Sequence, residues 1–187
     1  MILPIYAYGQ PVLKQKSVEI KPDYPNLKQL IANMWETMYY ASGVGIAAPQ
    51  IGLAIRLFVI DSTQSENEER VGFVGFKRVF INAKRIEPDK GDKNAQEEGC
   101  LSIPGIRGEV TRASILHLEW LDENFEKHSQ TFDGLNARII QHEYDHIEGI
   151  LFTEHLTPIK RNLIRNKLES IRRGKIDAEY KLKVVGR

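Results

Sequence analysis

A chain of 187 residues is long enough to bury one substantial core, and 42% hydrophobic with 27% charged residues is an ordinary globular composition. Lys plus Arg number 26 and Asp plus Glu 25, so the formal charge of +1 carries no global field that argues for a nucleic acid or an anionic membrane. The single cysteine, Cys100, excludes an intrachain disulfide framework. The first residues lack the charged and apolar regions of a signal peptide, and no apolar run approaches the roughly 20 residues that span a bilayer. One domain over 1–187, placed in the cytoplasm, is the expectation.

Residues 1–22 hold short apolar pieces broken by Pro4, Gly9, Pro11 and Pro22, and read as an irregular arm packed on the body. Pro25 opens an amphipathic helix with Leu27, Leu30, Ile31, Met34, Trp35 and Met38 at helical spacing, a stripe that plain core packing explains. It runs into residues 42–50, where Gly43 and Gly45 are followed by small residues and a proline, as in backbone that something approaches closely. No phosphate-loop pattern is present there, and Gln50 is the one side chain able to donate a hydrogen bond into a site. Residues 55–60 and 77–82 read as strands, and 62–70 and 88–94 as polar loops. A hairpin is expected within 109–133, turning at Asp122, Glu123 and Asn124. A helix over 135–149 follows, with Gly149 as its C-cap. Pro158 opens a last helix to about Gly174, with Leu163, Ile164, Leu168 and Ile171 on one face and Lys and Arg on the other. The tail 175–187 carries no motif.

The strongest local signal lies in the helix over 135–149, in the run Gln141-His142-Glu143-Tyr144-Asp145-His146. Helical residues four apart stand on nearly the same face, so His142 and His146 can hold one metal ion while Glu143 reaches a water on its open side. A catalytic site of this kind wants a third protein ligand. The downstream position that another histidine occupies in one H-E-x-x-H pattern is Phe152, and His155 comes three residues too late. Glu169 stands near the distance of a glutamate ligand, but in a helix rich in Arg and Lys, where a surface ion pair is the ordinary role. Cys100 remains, set between Gly99 and Pro104-Gly105; its ordinary reading is a small buried hydrophobe, and its alternative a thiolate ligand. His117 and His128, in the hairpin arms, read as surface or satisfied histidines.

Three blocks now stand in order: GVGIAAPQ at 43–50, EGCLS at 98–102 and QHEYDH at 141–146. They match the patterns G-x-G-x-A-A-x-Q, E-G-C-x-S and H-E-x-x-H, and together the chain resembles the peptide deformylases over roughly residues 1–174. The helix after LFTEHLTP resembles the bacterial class whose C-terminal element is helical. The resemblance implies an enzyme that removes the formyl group from the N-terminal methionine of newly made proteins, releasing formate. It implies Cys100, His142 and His146 as metal ligands, and Glu143 as general base and acid. It further implies an oxyanion hole of the Gln50 side chain and the Leu101 backbone N–H. Arg107 would steer the peptide or simply lie exposed, and Arg112 with Glu98 would form a structural ion pair. Gly43, Val44, Gly45 and Ile46 would pair with an extended substrate by strand addition.

The family's metal is Fe2+ in the cell, with Zn2+, Ni2+ or Co2+ able to substitute. Its partners would be formyl-methionyl nascent peptides and, transiently, the ribosome, with neither a nucleic-acid-specific site nor a membrane. The expected fold is α+β, mostly antiparallel strands around the H-E-x-x-H helix, with an N-terminal and a C-terminal helix outside. A narrow approach beside Gly45 would exclude acyl groups larger than formyl. Two other readings stand beside this one: a zinc endopeptidase using Glu169 or another acidic residue as third ligand, and a non-catalytic metal-stabilised module.

Overall fold

A computed structural model describes residues 1–65 and 72–186. The first element is a two-residue strand, β1 (Ile5–Tyr6), in the N-terminal arm, followed by the helix α1 (Leu27–Tyr40). Strands β2 (Gly45–Ala47), β3 (Leu57–Asp61), β4 (Lys77–Arg85), β5 (Lys90–Cys100), β6 (Ile103–Leu121) and β7 (Lys127–Asp133) come next. The helix α2 (Gly134–Ile147), the helix α3 (Pro158–Arg172) and a short strand β8 (Leu182–Lys183) complete the order. Strands β2 to β7 form one antiparallel sheet, and β8 pairs in parallel with β1.

The long strand β6 organises the sheet. Its residue Ile115 pairs with Lys90 of β5 on one edge and with Asp133 of β7 on the other. Further along, Leu118 pairs with Arg85 of β4 and Gln130 of β7. Strand β3 is buried throughout, and its alternation serves two layers. Leu57 and Val59 pack with Met34, Met38 and Ile46 under α1, whereas Phe58 and Ile60 pack with Phe80, Trp120, Ile140 and Ile147 around α2. A third cluster joins Leu13 of the arm, Ile103 and Val110 of β6, Phe152, and Leu168 and Ile171 of α3. The centre of the protein is therefore α2, as the α+β expectation had it.

Gly149 does end α2. It adopts φ +76°, where a Cβ is unfavourable, and its N–H donates to the His146 carbonyl while the Ile150 N–H donates to that of Asp145. Those two bonds satisfy carbonyls that a helix end otherwise leaves unpaired. The hairpin within 109–133 is present, though its first strand starts earlier, at Ile103.

Two expectations need correction. The stretch 88–94 is a loop only to Asp89; from Lys90 it is β5, an edge strand of polar, exposed residues held by its backbone ladder to β6, so it shows no hydrophobic alternation. Leu163 is 74% exposed, because α3 buries only Leu168 and Ile171 and packs Ile164 partly. The tail, to which the sequence assigned no motif, contributes β8 and the buried Val184. Of the loop expected over 62–70, residues 62–65 form a 3-10 turn, and 66–70 lie outside the described residues. No helix among the described residues is long and apolar enough to cross a membrane.

Candidate metal centre

The four-residue spacing on α2 brings the rings of His142 and His146 to 5.1 Å between centroids. Cys100 reaches them from the far end of β5. There the ladder shifts register between Gly99 and Cys100, and the chain turns over Leu101 and Ser102 into β6. Its Sγ lies 3.3 Å from His146 Nε2, and one donor atom from each of the three residues falls within 4.8 Å of the others. Sulfur with two imidazole nitrogens is a donor set for a borderline divalent ion. The Oε2 of Glu143 is buried with no hydrogen-bond partner among the described residues, so the cluster retains free polar capacity. These residues fit a metal.

The His142 ring is held from behind. Glu98 Oε2 lies 3.0 Å from His142 Nδ1, and since a carboxylate only accepts, Nδ1 carries the proton and Nε2 keeps its lone pair for the cluster. Arg112 donates to both oxygens of Glu98, at 2.7 and 3.0 Å, and to Asp145 at 2.8 Å. Arg138 donates to Glu98 Oε1 at 2.8 Å, and His155 Nε2 lies 2.8 Å from Asp145 Oδ2. Arg112, Arg138, Glu98 and Asp145 are all buried, and each ion has a partner, the condition under which buried charge is tolerated.

Burial opposes ionisation of Glu98, yet His142 and Arg112 hold it well below the usual carboxylate range. Burial pushes the Cys100 thiol up, but His146 and His142 outweigh it and bring it to about 5, which favours the thiolate. Burial raises Glu143 to about 7 against the opposing pull of His142 and His146. A carboxyl poised there can take up and give back a proton near neutrality.

A cleft of about 740 Å³ opens over the cluster. Gln50 accepts the Ala47 N–H at 2.8 Å through its Oε1, which leaves its amide nitrogen turned to the cluster, 3.5 Å from Cys100 Sγ. Gly45 faces Glu143 so closely that a Cβ there would stand 2.6 Å from Oε1. Strand β2, which carries Gly45, pairs only with β3 among the described residues and leaves its other edge to the cleft.

The structure thus gathers Gly43, Val44, Gly45, Gln50, Cys100, Leu101, His142 and Glu143 along one cleft, with His146 beneath. Arg107 also lines it, exposed and paired to Glu97 at 2.8 Å. Ile46 differs: its side chain is buried in the cluster under α1, so it offers a peptide only its backbone. Glu169 is not grouped with the ligands; it pairs with Arg172 and Arg173 at the end of its own helix, which removes the ground for Glu169 as third ligand. His117 is satisfied by Thr131 and Ser129, and His128 by Asp122, which also caps the backbone of the hairpin turn. Sequence reasoning missed Arg138 and the cleft wall formed by Ala178, Glu179 and Tyr180. No spacing signals a contact between the tail and this turn.

Comparison with known proteins agrees with this arrangement. The family model described as polypeptide deformylase matches residues 2–162. The peptide deformylase of Christiangramia forsetii is 52% identical over 189 aligned residues, spanning 98% of this chain and 96% of that protein. That of Flavobacterium johnsoniae is 51% identical with the same coverage. Among solved structures, a peptide deformylase from Legionella pneumophila superposes with a TM-score of 0.80 at 35% identity, covering 94% of this chain and 98% of its own. One from Thermus thermophilus gives 0.81 at 36%, covering 93% and 99%.

Proposed function

The chain belongs to the polypeptide deformylase family, and from that premise we propose which of its residues perform the family's reaction. It is a metal-dependent hydrolase that removes the formyl group from the N-terminal formyl-methionine of newly made proteins. In our reading Cys100, His142 and His146 hold the metal, and residues 1–187 act as one catalytic domain. The observation that carries this is the convergence of a thiol from β5 with two imidazoles from α2, Cys100 Sγ lying 3.3 Å from His146 Nε2.

A divalent ion in such a set supplies Lewis acidity and makes water acidic enough to be a nucleophile at neutral pH. The remaining work belongs to the chain. Glu143, raised to about 7 by burial, takes the proton of the attacking water and returns it to the leaving methionine amine. Negative charge develops on the former formyl oxygen, and the Gln50 amide and the Leu101 N–H donate to it; one such donor is typically worth about 3–4 kcal/mol. Glu98 keeps His142 in the tautomer whose Nε2 is free. The free edge of β2, with Gly43, Val44, Gly45 and the Ile46 backbone, aligns the extended peptide, and Arg107 steers it. The close approach of Gly45 to Glu143 supports a narrow path to the site, which in our reading admits a formyl group and excludes larger acyl groups.

The resident metal is Fe2+, a reading drawn from the family alone. Zn2+ binds such a set more tightly by affinity, and oxidation of Cys100 would end binding in either case. Transient contact with the ribosome and a cytoplasmic location follow from a substrate that exists on nascent chains.

The test is formate release from formyl-Met-Ala-Ser by anaerobically purified protein, beside Glu143→Gln, with metal content measured on both. We expect about one metal per chain in each, and a rate lowered about 10²–10⁴-fold in the variant. Full activity in Glu143→Gln would remove Glu143 from the reaction. Hydrolysis of the N-acetyl peptide at the formyl rate would defeat the account of Gly45.

A further inference from the structure

The tail after α3 carries no sequence motif, yet it walls the cleft and touches the turn that follows Cys100. It is tied down along its length. The Lys175 N–H donates to the Ser170 carbonyl, Ile176 packs in the cluster under α3, and Val184 is buried. The carbonyls of Lys181 and Lys183 accept the N–H groups of Ile5 and Ala7, at 2.9 and 3.0 Å, so the tail is strapped to β1. Between these anchors Tyr180 points at the turn, and its hydroxyl donates to the Leu101 carbonyl at 2.8 Å across 79 residues of chain.

The next carbonyl is held as well. Ser102 O accepts the Tyr8 N–H at 2.8 Å, from the end of the arm to which β8 is paired. On its other side the Leu101 side chain packs on Gly43, where a Cβ would stand 2.8 Å from its Cδ1. The turn of Leu101 and Ser102 is thus gripped from three directions, and one grip is a side chain that no secondary structure requires.

We propose that Tyr180 is a positioning residue for deformylation: by holding the Leu101 carbonyl it fixes the backbone whose N–H faces the developing oxyanion, while its ring closes the cleft beside the bound peptide. The inference rests on the oxyanion role given above to Leu101 and Gln50. A donor pre-aimed at the transition state contributes to turnover more than to substrate affinity, which separates this role from that of a mere wall.

The experiment uses full-length, metal-loaded protein with formyl-Met-Ala-Ser, comparing wild type, Tyr180→Phe, Tyr180→Ala and Gln50→Ala, with metal content measured on each. Tyr180→Phe keeps the ring and loses the hydrogen bond; kcat should fall about two- to tenfold with KM within about twofold and metal content unchanged. Tyr180→Ala should show that fall together with a raised KM. Gln50→Ala should lower kcat about 10²-fold or more. Wild-type kcat in Tyr180→Phe, with Gln50→Ala impaired, overturns the positioning role and leaves the oxyanion hole standing. Unchanged kcat in Gln50→Ala overturns the oxyanion reading itself. A KM rise without a kcat loss in Tyr180→Phe, or loss of its metal, likewise overturns the proposal.

Discussion

Helices α2 and α3 are nearly equal in length, 14 and 15 residues, and both mix apolar residues with Arg and Glu at helical spacing, yet they do opposite things. On α2 the ions Arg138 and Asp145 are buried and answered from elsewhere in the chain: Arg138 by Glu98 and Asn94 of β5, and Asp145 by Arg112 of β6 and by His155. On α3 the charges stay at the surface, where Glu169 pairs with its own neighbours Arg172 and Arg173, and Lys160 with the exposed Glu109. An exposed ion pair is screened and contributes little, whereas a buried one becomes costly once a partner is removed. The lesson is that a carboxylate or imidazole on a helix acquires chemistry from what other strands bring against it.

That contrast is open to direct test. Its largest consequence concerns Cys100, the ligand that β5 delivers to α2. Cys100→Ala should release the metal and lower formate production by more than about a hundredfold, since changes that only disturb a ligand's support already cost about 10- to 100-fold. Retention of one metal per chain in that variant would return the third ligand to an acidic residue.

Arg112→Met comes next. It strips a buried guanidinium from Glu98 and Asp145, and should lower the stability of the metal-free protein by about 3–5 kcal/mol in urea unfolding. A loss below about 1 kcal/mol would mean that Arg138, His142 and His155 suffice to hold those carboxylates, and the contrast between buried and surface pairs would weaken.

Gly45→Ala tests close approach rather than charge. Its Cβ would displace Glu143 and should lower kcat about 10²-fold with metal content unchanged, because a misplacement of that order is enough to spoil a proton transfer. The smallest effect belongs to α3. Glu169→Ala should leave the melting temperature, metal content and rate unchanged, and a loss of metal there would restore the peptidase geometry that the surface position of Glu169 argues against.

Much of the candidate site was legible because it depends on local geometry. The H-E-x-x-H spacing puts His142 and His146 together whatever surrounds them, and Gly149 ends the helix because a left-handed residue was needed there. The buried stripe of α1 followed from periodicity in the same way, with Leu27, Ile31, Met34 and Met38 in the core. Cys100 was reached only by asking what an incomplete ligand set lacked, and by the resemblance of its EGCLS block.

What tertiary structure alone decided lies at long sequence separation. Strand β5 has no apolar alternation because it is an exposed edge, so only its pairing to β6 reveals it. Leu163 continues the apolar stripe of α3 yet stays exposed, and pattern cannot say how wide a face its neighbours will cover. Tyr180 finds Leu101 because β8 is strapped to β1. A helix's period is set by bonds four residues apart and can be read along the chain. Which distant surfaces meet is set by how the whole core closes, and no local pattern records it.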